Sequence, residues 1–140
     1  MSLDRFVRPQ QQHYFNALDE IRQGKKISHW MWYMFPQIRG LGSSDMSKFY
    51  ALEDLKEATL YLKVPTFCER LIELCNELLL LKTNDAHSIF GSPDDMKLKS
   101  SMTLFSAVPD ADPVFKKVLD KFFKGELDNK TIELLNNTHK

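Results

Sequence analysis

A chain of 140 residues, 43% apolar and 27% charged, has the size and make-up of one globular domain, 1–140, that can bury a core without disulfide or metal. Its 19 basic and 19 acidic residues balance, which argues against a dedicated nucleic-acid binder, since phosphate neutralisation calls for a basic excess. No apolar run approaches the ~20 residues of a membrane span and no signal segment leads the chain, so a soluble cytoplasmic protein without a membrane partner is expected.

The apolar period is helical, and strand-type alternation of β-branched residues is nearly absent. The expected class is all-α: one compact orthogonal domain of about six to eight helices. The first helix carries Tyr14, Leu18 and Ile21 at i, i+4 and i+7 and ends near Gln23, with Gly24 as a left-handed cap. Asp4 is a candidate cap at its start, although Pro9 would disturb a turn begun so early. Ser28 to Phe35 is apolar almost all round and stops before Pro36, so it is expected as a buried, Trp-rich central helix running on to Gln37. Gly40 to Asp45 reads as a turn, followed by a short helix through Tyr50.

Leu52, Leu55 and Leu62 mark a further helix ended by Pro65, and the long helix opened there carries Leu71, Leu74, Cys75, Leu78 and Leu81. Cys68 and Cys75 sit seven apart in it, roughly 10 Å along the axis, too far to bridge, and read as two small buried residues on one face. Asp85 is expected to cap a short helix that stops at Gly91. Ser92-Pro93-Asp94-Asp95 reads as a Ser cap, a first-turn Pro and two acids at a positive helix end. Asp112-Pro113 opens the next helix, with Phe115, Val118, Leu119 and Phe122 on one face and Lys116, Lys117, Lys121 and Lys124 on a solvated one, and Gly125 ends it. Asp128 caps a last helix bearing Ile132, Leu134 and Leu135.

Two stretches stand out for their rare residues. One is His29-Trp30-Met31-Trp32, running into Phe35-Pro36-Gln37 and Gly40-Leu41-Gly42. The other is Ser100-Ser101-Met102-Thr103-Leu104-Phe105, after Phe90-Gly91 and Lys97-Leu98. With Arg5-Phe6 and Tyr50-Ala51 they resemble the signatures of the bacterial family catalogued as domain of unknown function 1810, over nearly the whole chain. Pro9 departs from the small helix-former expected there. The resemblance implies an all-helical fold of the kind seen in a mycobacterial member, and no activity.

Each candidate functional residue has a plainer structural reading beside it. His29, among aromatics, is a candidate acid or base, or a buried histidine bonded to backbone. The other histidines, His13, His87 and His139, form no ligand-spaced pair with it, so no metal is expected. Trp30 and Trp32 face different sides, where one would stack on a flat ligand or both would fill the core. Gly40, Gly42, Ser43 and Ser44, with Arg39 and Gln37 beside them, would cradle an anion or simply make a tight turn. Lys97 and Ser101 are neighbours at i and i+4, with Ser100 alongside, which suits an activated hydroxyl or an ordinary helix surface.

Two functions follow. The preferred one is a module that binds a protein or a small anionic or nucleotide-like ligand at Trp30, Trp32, Gln37, Arg39, Gly40, Gly42, Ser43, Ser44 and Ser100. The alternative is an enzyme acting on a nucleotide or ADP-ribose-like substrate, with His29, Lys97 and Ser101 as its catalytic groups. Neither calls for a cofactor, and the sequence sets no oligomeric state.

Overall fold

Proline, glycine and aspartate divide the chain into short helices, and a computed structural model describes them over residues 2–138. A 3-10 turn, Leu3–Phe6, leads into α1 (Val7–Arg22), followed by α2 (Met31–Met34), α3 (Asp45–Tyr50), α4 (Leu55–Lys63) and α5 (Pro65–Leu80). Then come α6 (Ala86–Phe90), α7 (Asp94–Ser106), α8 (Val114–Phe123) and α9 (Asn129–Thr138). The all-α class holds, with nine α-helices among the described residues rather than six to eight. His139 lies outside the described residues.

Capping explains most boundaries. Ser2, not Asp4, caps the first turn, its hydroxyl accepting from Asp4 N. Pro9 is tolerated because it stands in the first turn of α1, where its missing N–H would have had no helical partner. Asp54 and Asp85 accept from Glu57 N and His87 N at the starts of α4 and α6, and Asp128 from Thr131 N at α9. Gly24 and Gly125 take the left-handed conformation after α1 and α8. Ser92 does not cap α7: the Ser92–Pro93 peptide is cis, α7 starts at Asp94, and no side chain caps it.

The core is shared by α5 and α7. Helix α5 packs on α1, α4 and α8, and α7 on α4, α6, α8 and α9. Phe6, Tyr61, Phe67, Phe105 and Phe115 form a chain of ring contacts with centroids 5.0–6.0 Å apart. Polar Gln10 is buried beside it, its amide donating to Tyr33 O and the Tyr61 hydroxyl. Cys75 is buried against Met102, whereas Cys68 is only half-buried. Lys121 does not lie on a solvated face: its ammonium bonds the carbonyls of Leu79 and Leu81 and so closes the end of α5.

The expected central helix is the main correction. Trp30, Met31, Tyr33, Met34 and Phe35 are buried as predicted, but His29 is exposed and only Met31–Met34 is helical. The irregular chain that leads into α2 is held by Glu20, on α1. Its carboxylate accepts from Ile27 N (2.7 Å), Ser28 N (2.9 Å), Ser28 Oγ (2.7 Å) and Trp30 Nε1 (2.9 Å). A side chain thus holds these main-chain donors, and residues 25–30 run as irregular chain, exposed at Lys25, Ile27 and His29 and buried only at Trp30. Burial tends to raise the Glu20 carboxyl, but the donors of Ser28, Ile27 and Trp30 outweigh it and hold its pKa below the usual value.

Candidate functional site

The Gly-rich turn is positioned by backbone pairing. Ile38 and Leu52 form one parallel bridge, with Arg39 N donating to Leu52 O (2.8 Å) and Leu52 N to Gln37 O (2.9 Å). This clamp closes a loop that carries Gly40 to Ser44 and α3. Both glycines are required by close approach. At Gly40 (φ +109) a Cβ would stand 3.0 Å from Leu134 Cδ2 on α9. At Gly42 it would stand 2.5 Å from Cβ and Oγ of Ser47. Ser44 is the cap of α3: it accepts from Ser47 N (3.1 Å) and donates to Ser47 Oγ (2.8 Å).

Opposite this loop stand the first turns of α7 and the start of α9. Between them opens a cleft of about 360 Å³. From the loop it is lined by Gln37, Leu41, Gly42, Ser43 and Ser47. From α7 come Pro93, Met96, Lys97 and Ser100, and from α9 Asp128 and Lys130. The Lys97 ammonium lies 3.4 Å from Asp94 and 5.2 Å from the centre of the Trp32 ring. The Asp94 carboxylate also holds Lys26 at 2.9 Å. Asp128 spends its carboxylate on Thr131 N and Thr131 Oγ1 (3.0 and 2.6 Å). Lys97 is paired with Asp94 and Lys130 lies 3.7 Å from Glu133, so both cations of the cleft wall have a carboxylate beside them.

A small side chamber adjoins the cleft, lined by Trp32, Gln37, Ser47, Tyr50 and Ala51, with Gln37 and Ser47 common to both. Trp32 Nε1 is sealed from solvent, and no acceptor among the described residues takes its proton. An orphaned buried donor of this kind costs roughly 1–3 kcal/mol.

The other predicted residues are placed elsewhere. His29 is exposed and lines a separate hollow of about 270 Å³ with His13, Asn16, Ser28, Trp30 and Tyr33. Trp30 is otherwise enclosed, its N–H taken by Glu20 and Lys26 Nζ 5.0 Å from its ring. Arg39 is paired with Glu53 at 2.6 Å. Gly40 and Ser44 serve the turn. Ser101 is fully buried with its hydroxyl unpaired, and Ser100 donates to Met96 O at 3.1 Å. The trio that the enzyme reading needs is therefore not assembled: His29, Lys97 and Ser101 share no cavity. Among the described residues no group of three or more His, Cys, Asp or Glu is placed to hold a metal ion. No helix among them is long and apolar enough to cross a membrane.

Ser47, Lys130 and Asp128 escaped the sequence reading. Ser47 carries no signal short of its contact with Gly42. Asp128 was legible only as a cap, and Lys130 as one lysine among many.

A somewhat larger depression, about 400 Å³, lies along α5 between Glu69, Ile72, Glu73, Asn76, Glu77 and Leu80. Its carboxylates are largely used in the fold, Glu73 by the Tyr14 hydroxyl and Glu77 by Arg22. The smaller cleft has the more varied chemistry, with amide, hydroxyl, ammonium and carboxylate groups on its wall.

The family model described as "Protein of unknown function (DUF1810)" matches residues 1–135, and the chain belongs to that family. Among solved structures it is similar to a conserved hypothetical protein, Rv1873, from Mycobacterium tuberculosis. The two are 42% identical over 96% of each chain, with a TM-score of 0.93. No curated protein matches the chain.

Proposed function

We propose that this member of the DUF1810 family is a binding module for a small anionic ligand, held in the cleft between the glycine turn and the starts of α7 and α9. One observation carries the reading. Gln37, Gly42, Ser43, Lys97 and Ser100 come from segments some sixty residues apart in sequence, as their numbers show, and they meet around one open cleft of about 360 Å³. That volume suits a small molecule, for which sites of roughly 300–1,000 Å³ are usual. Lys97 and Lys130, which stand beside Asp94 and Glu133, supply positive charge that a ligand anion would share, and Gln37, Ser43 and Ser47 supply hydrogen bonds. Close approach at Gly42 and the Ser44 cap make the loop wall preformed rather than induced.

Thermal unfolding in the presence of inorganic phosphate, acetate, citrate and AMP tests the reading. A ligand at ten times its Kd stabilises by about 1.4 kcal/mol, which raises Tm by several degrees for a chain of this length. The double variant Lys97→Ala/Lys130→Ala is expected to lose the shift while keeping its own transition. No saturable shift with any anion up to 20 mM, or a shift untouched in the double variant, removes the proposal.

A further inference from the structure

The two signature tryptophans differ in what their indole N–H groups do. Trp30 Nε1 donates to Glu20 Oε1 at 2.9 Å. Trp32 Nε1 is equally sealed but has no acceptor among the described residues. Buried donors are nearly always satisfied, so Trp32 Nε1, one of three such atoms with Arg5 Nε and Ser101 Oγ, requires an account. The chamber that Trp32 walls has about 10 Å³ of free volume, enough for roughly one oxygen-sized occupant. It adjoins the cleft through Gln37 and Ser47. One more contact narrows the chemistry. Lys97 Nζ stands 5.2 Å from the Trp32 ring centre, so an ammonium already occupies a ring face that a stacked base would need. What Trp32 presents is an edge donor with a cation beside it, and the indole nitrogen can only donate.

We propose that Trp32 is the specificity-determining residue of the cleft. It takes one oxygen of a terminal oxyanion, a carboxylate or a phosphate monoester, into the chamber, with Lys97 balancing the charge. This rests on the binding-module reading above. The ligand enters oxyanion first, and any flat ring it carries lies away from Trp32. A neutral nucleoside gains nothing at this position, and an amine is rejected by both Trp32 N–H and Lys97.

The test is a titration of the ¹⁵N-labelled full chain, following its two indole N–H signals, with ionic strength held constant by KCl. The probes are inorganic phosphate, propyl phosphate, acetate and adenosine. At least one oxyanion is expected to move the Trp32 indole signal downfield and saturably. The Trp30 signal, already bonded to Glu20, stays still and serves as the internal control. Saturation by the phosphates alone assigns a phosphate monoester, and saturation by acetate alone a carboxylate. Trp32→Phe identifies the signal and is expected to weaken binding about tenfold, read on the amides of Ser43 and Lys97. Should that variant not fold, the wild-type indole titration decides by itself. If an anion moves those amides but leaves the Trp32 indole fixed, as with a chamber that merely holds solvent, the inference is overturned and the cleft reading survives. Adenosine moving the indole as far as phosphate does overturns it equally. If no cleft amide responds to any anion, the cleft reading falls and takes the inference with it.

Discussion

Replacing Glu20 with alanine removes one carboxylate and strands four donors at once. Trp30 Nε1 belongs to a residue that is 1% exposed, so losing its acceptor leaves a buried N–H unsatisfied, at about 1–3 kcal/mol. Ile27 is exposed and Ser28 half-buried, so water replaces much of what their main-chain groups lose, and they add about 1 kcal/mol together. The expected cost of Glu20→Ala is therefore about 2–4 kcal/mol, large against a typical stability of about 5–15 kcal/mol but not enough to abolish folding. Glu20→Gln keeps an acceptor oxygen and should cost about half as much. The pH dependence has a definite sign. The donors hold the folded Glu20 carboxyl below its ordinary value, so between the two values the unfolded chain binds the proton more readily. The stabilisation is full above the unfolded pKa of about 4.3 and is lost as pH falls through the folded value. Urea unfolding at pH 7 and pH 3.5, followed by tryptophan fluorescence, measures both effects. The gap between wild type and Glu20→Ala should narrow at the lower pH. A cost under about 0.5 kcal/mol at pH 7, or a gap that widens on acidification, would refute the account of Glu20 as the anchor of residues 27–30.

Three other outcomes are expected. Gly42→Ala places a methyl group 2.5 Å from the Ser47 side chain; such overpacking should cost about 1–3 kcal/mol in denaturant unfolding and weaken any cleft ligand, whereas an unchanged midpoint would show that the loop yields freely. All four tyrosines ionise above their usual value: burial is the leading cause for each, helped at Tyr14 by Glu73 and at Tyr33 by Tyr50. The folded protein thus holds these protons more tightly, and stability is retained below about pH 10 and declines above it, so absorbance at 295 nm should rise with alkaline unfolding rather than before it. Burial likewise pushes the Cys75 and Cys68 thiols up; in native protein at pH 8 a disulfide reagent should leave Cys75 untouched and label Cys68 more slowly than a free cysteine, and rapid labelling of both would contradict the packing of α5.

How much of this was legible in advance varies with the range of the forces involved. The all-α class, the ends of α1, α4, α6 and α8, and the caps at Asp85 and Asp128 are written in short spacings: 3.6-residue apolar stripes, an aspartate before a helix, a glycine or proline after it. Those cues act within one turn of chain, so they survive folding. The Ser28–Gln37 segment shows where such cues stop. Trp30, Met31, Tyr33, Met34 and Phe35 are apolar enough to be buried, and they are, while His29 is exposed; burial does not choose a backbone conformation. Glu20, eight residues upstream of Ser28, anchors the entry to the segment by accepting from Ile27 N and Ser28 N, groups that a helix begun at Ser28 would leave without an internal partner. Ser92 likewise does not cap α7, which starts at Asp94 with Pro93 at its N-cap position.

The cleft divides along the same line. Gln37, Gly42, Ser43, Lys97 and Ser100 could be singled out as unusual polar and glycine positions in apolar surroundings. Their meeting with Lys130 and Ser47 could not, because it depends on the loop clamp at Ile38 and Leu52 and on α9 packing against α7. The same is true of the separation of His29 and Ser101 from Lys97. Sequence alone determined which residues are chemically out of place for a helical core; tertiary structure decided which of them face one another. Composition and short-range spacing act through local backbone and solvent preferences, whereas a site is a distance between segments far apart in the chain.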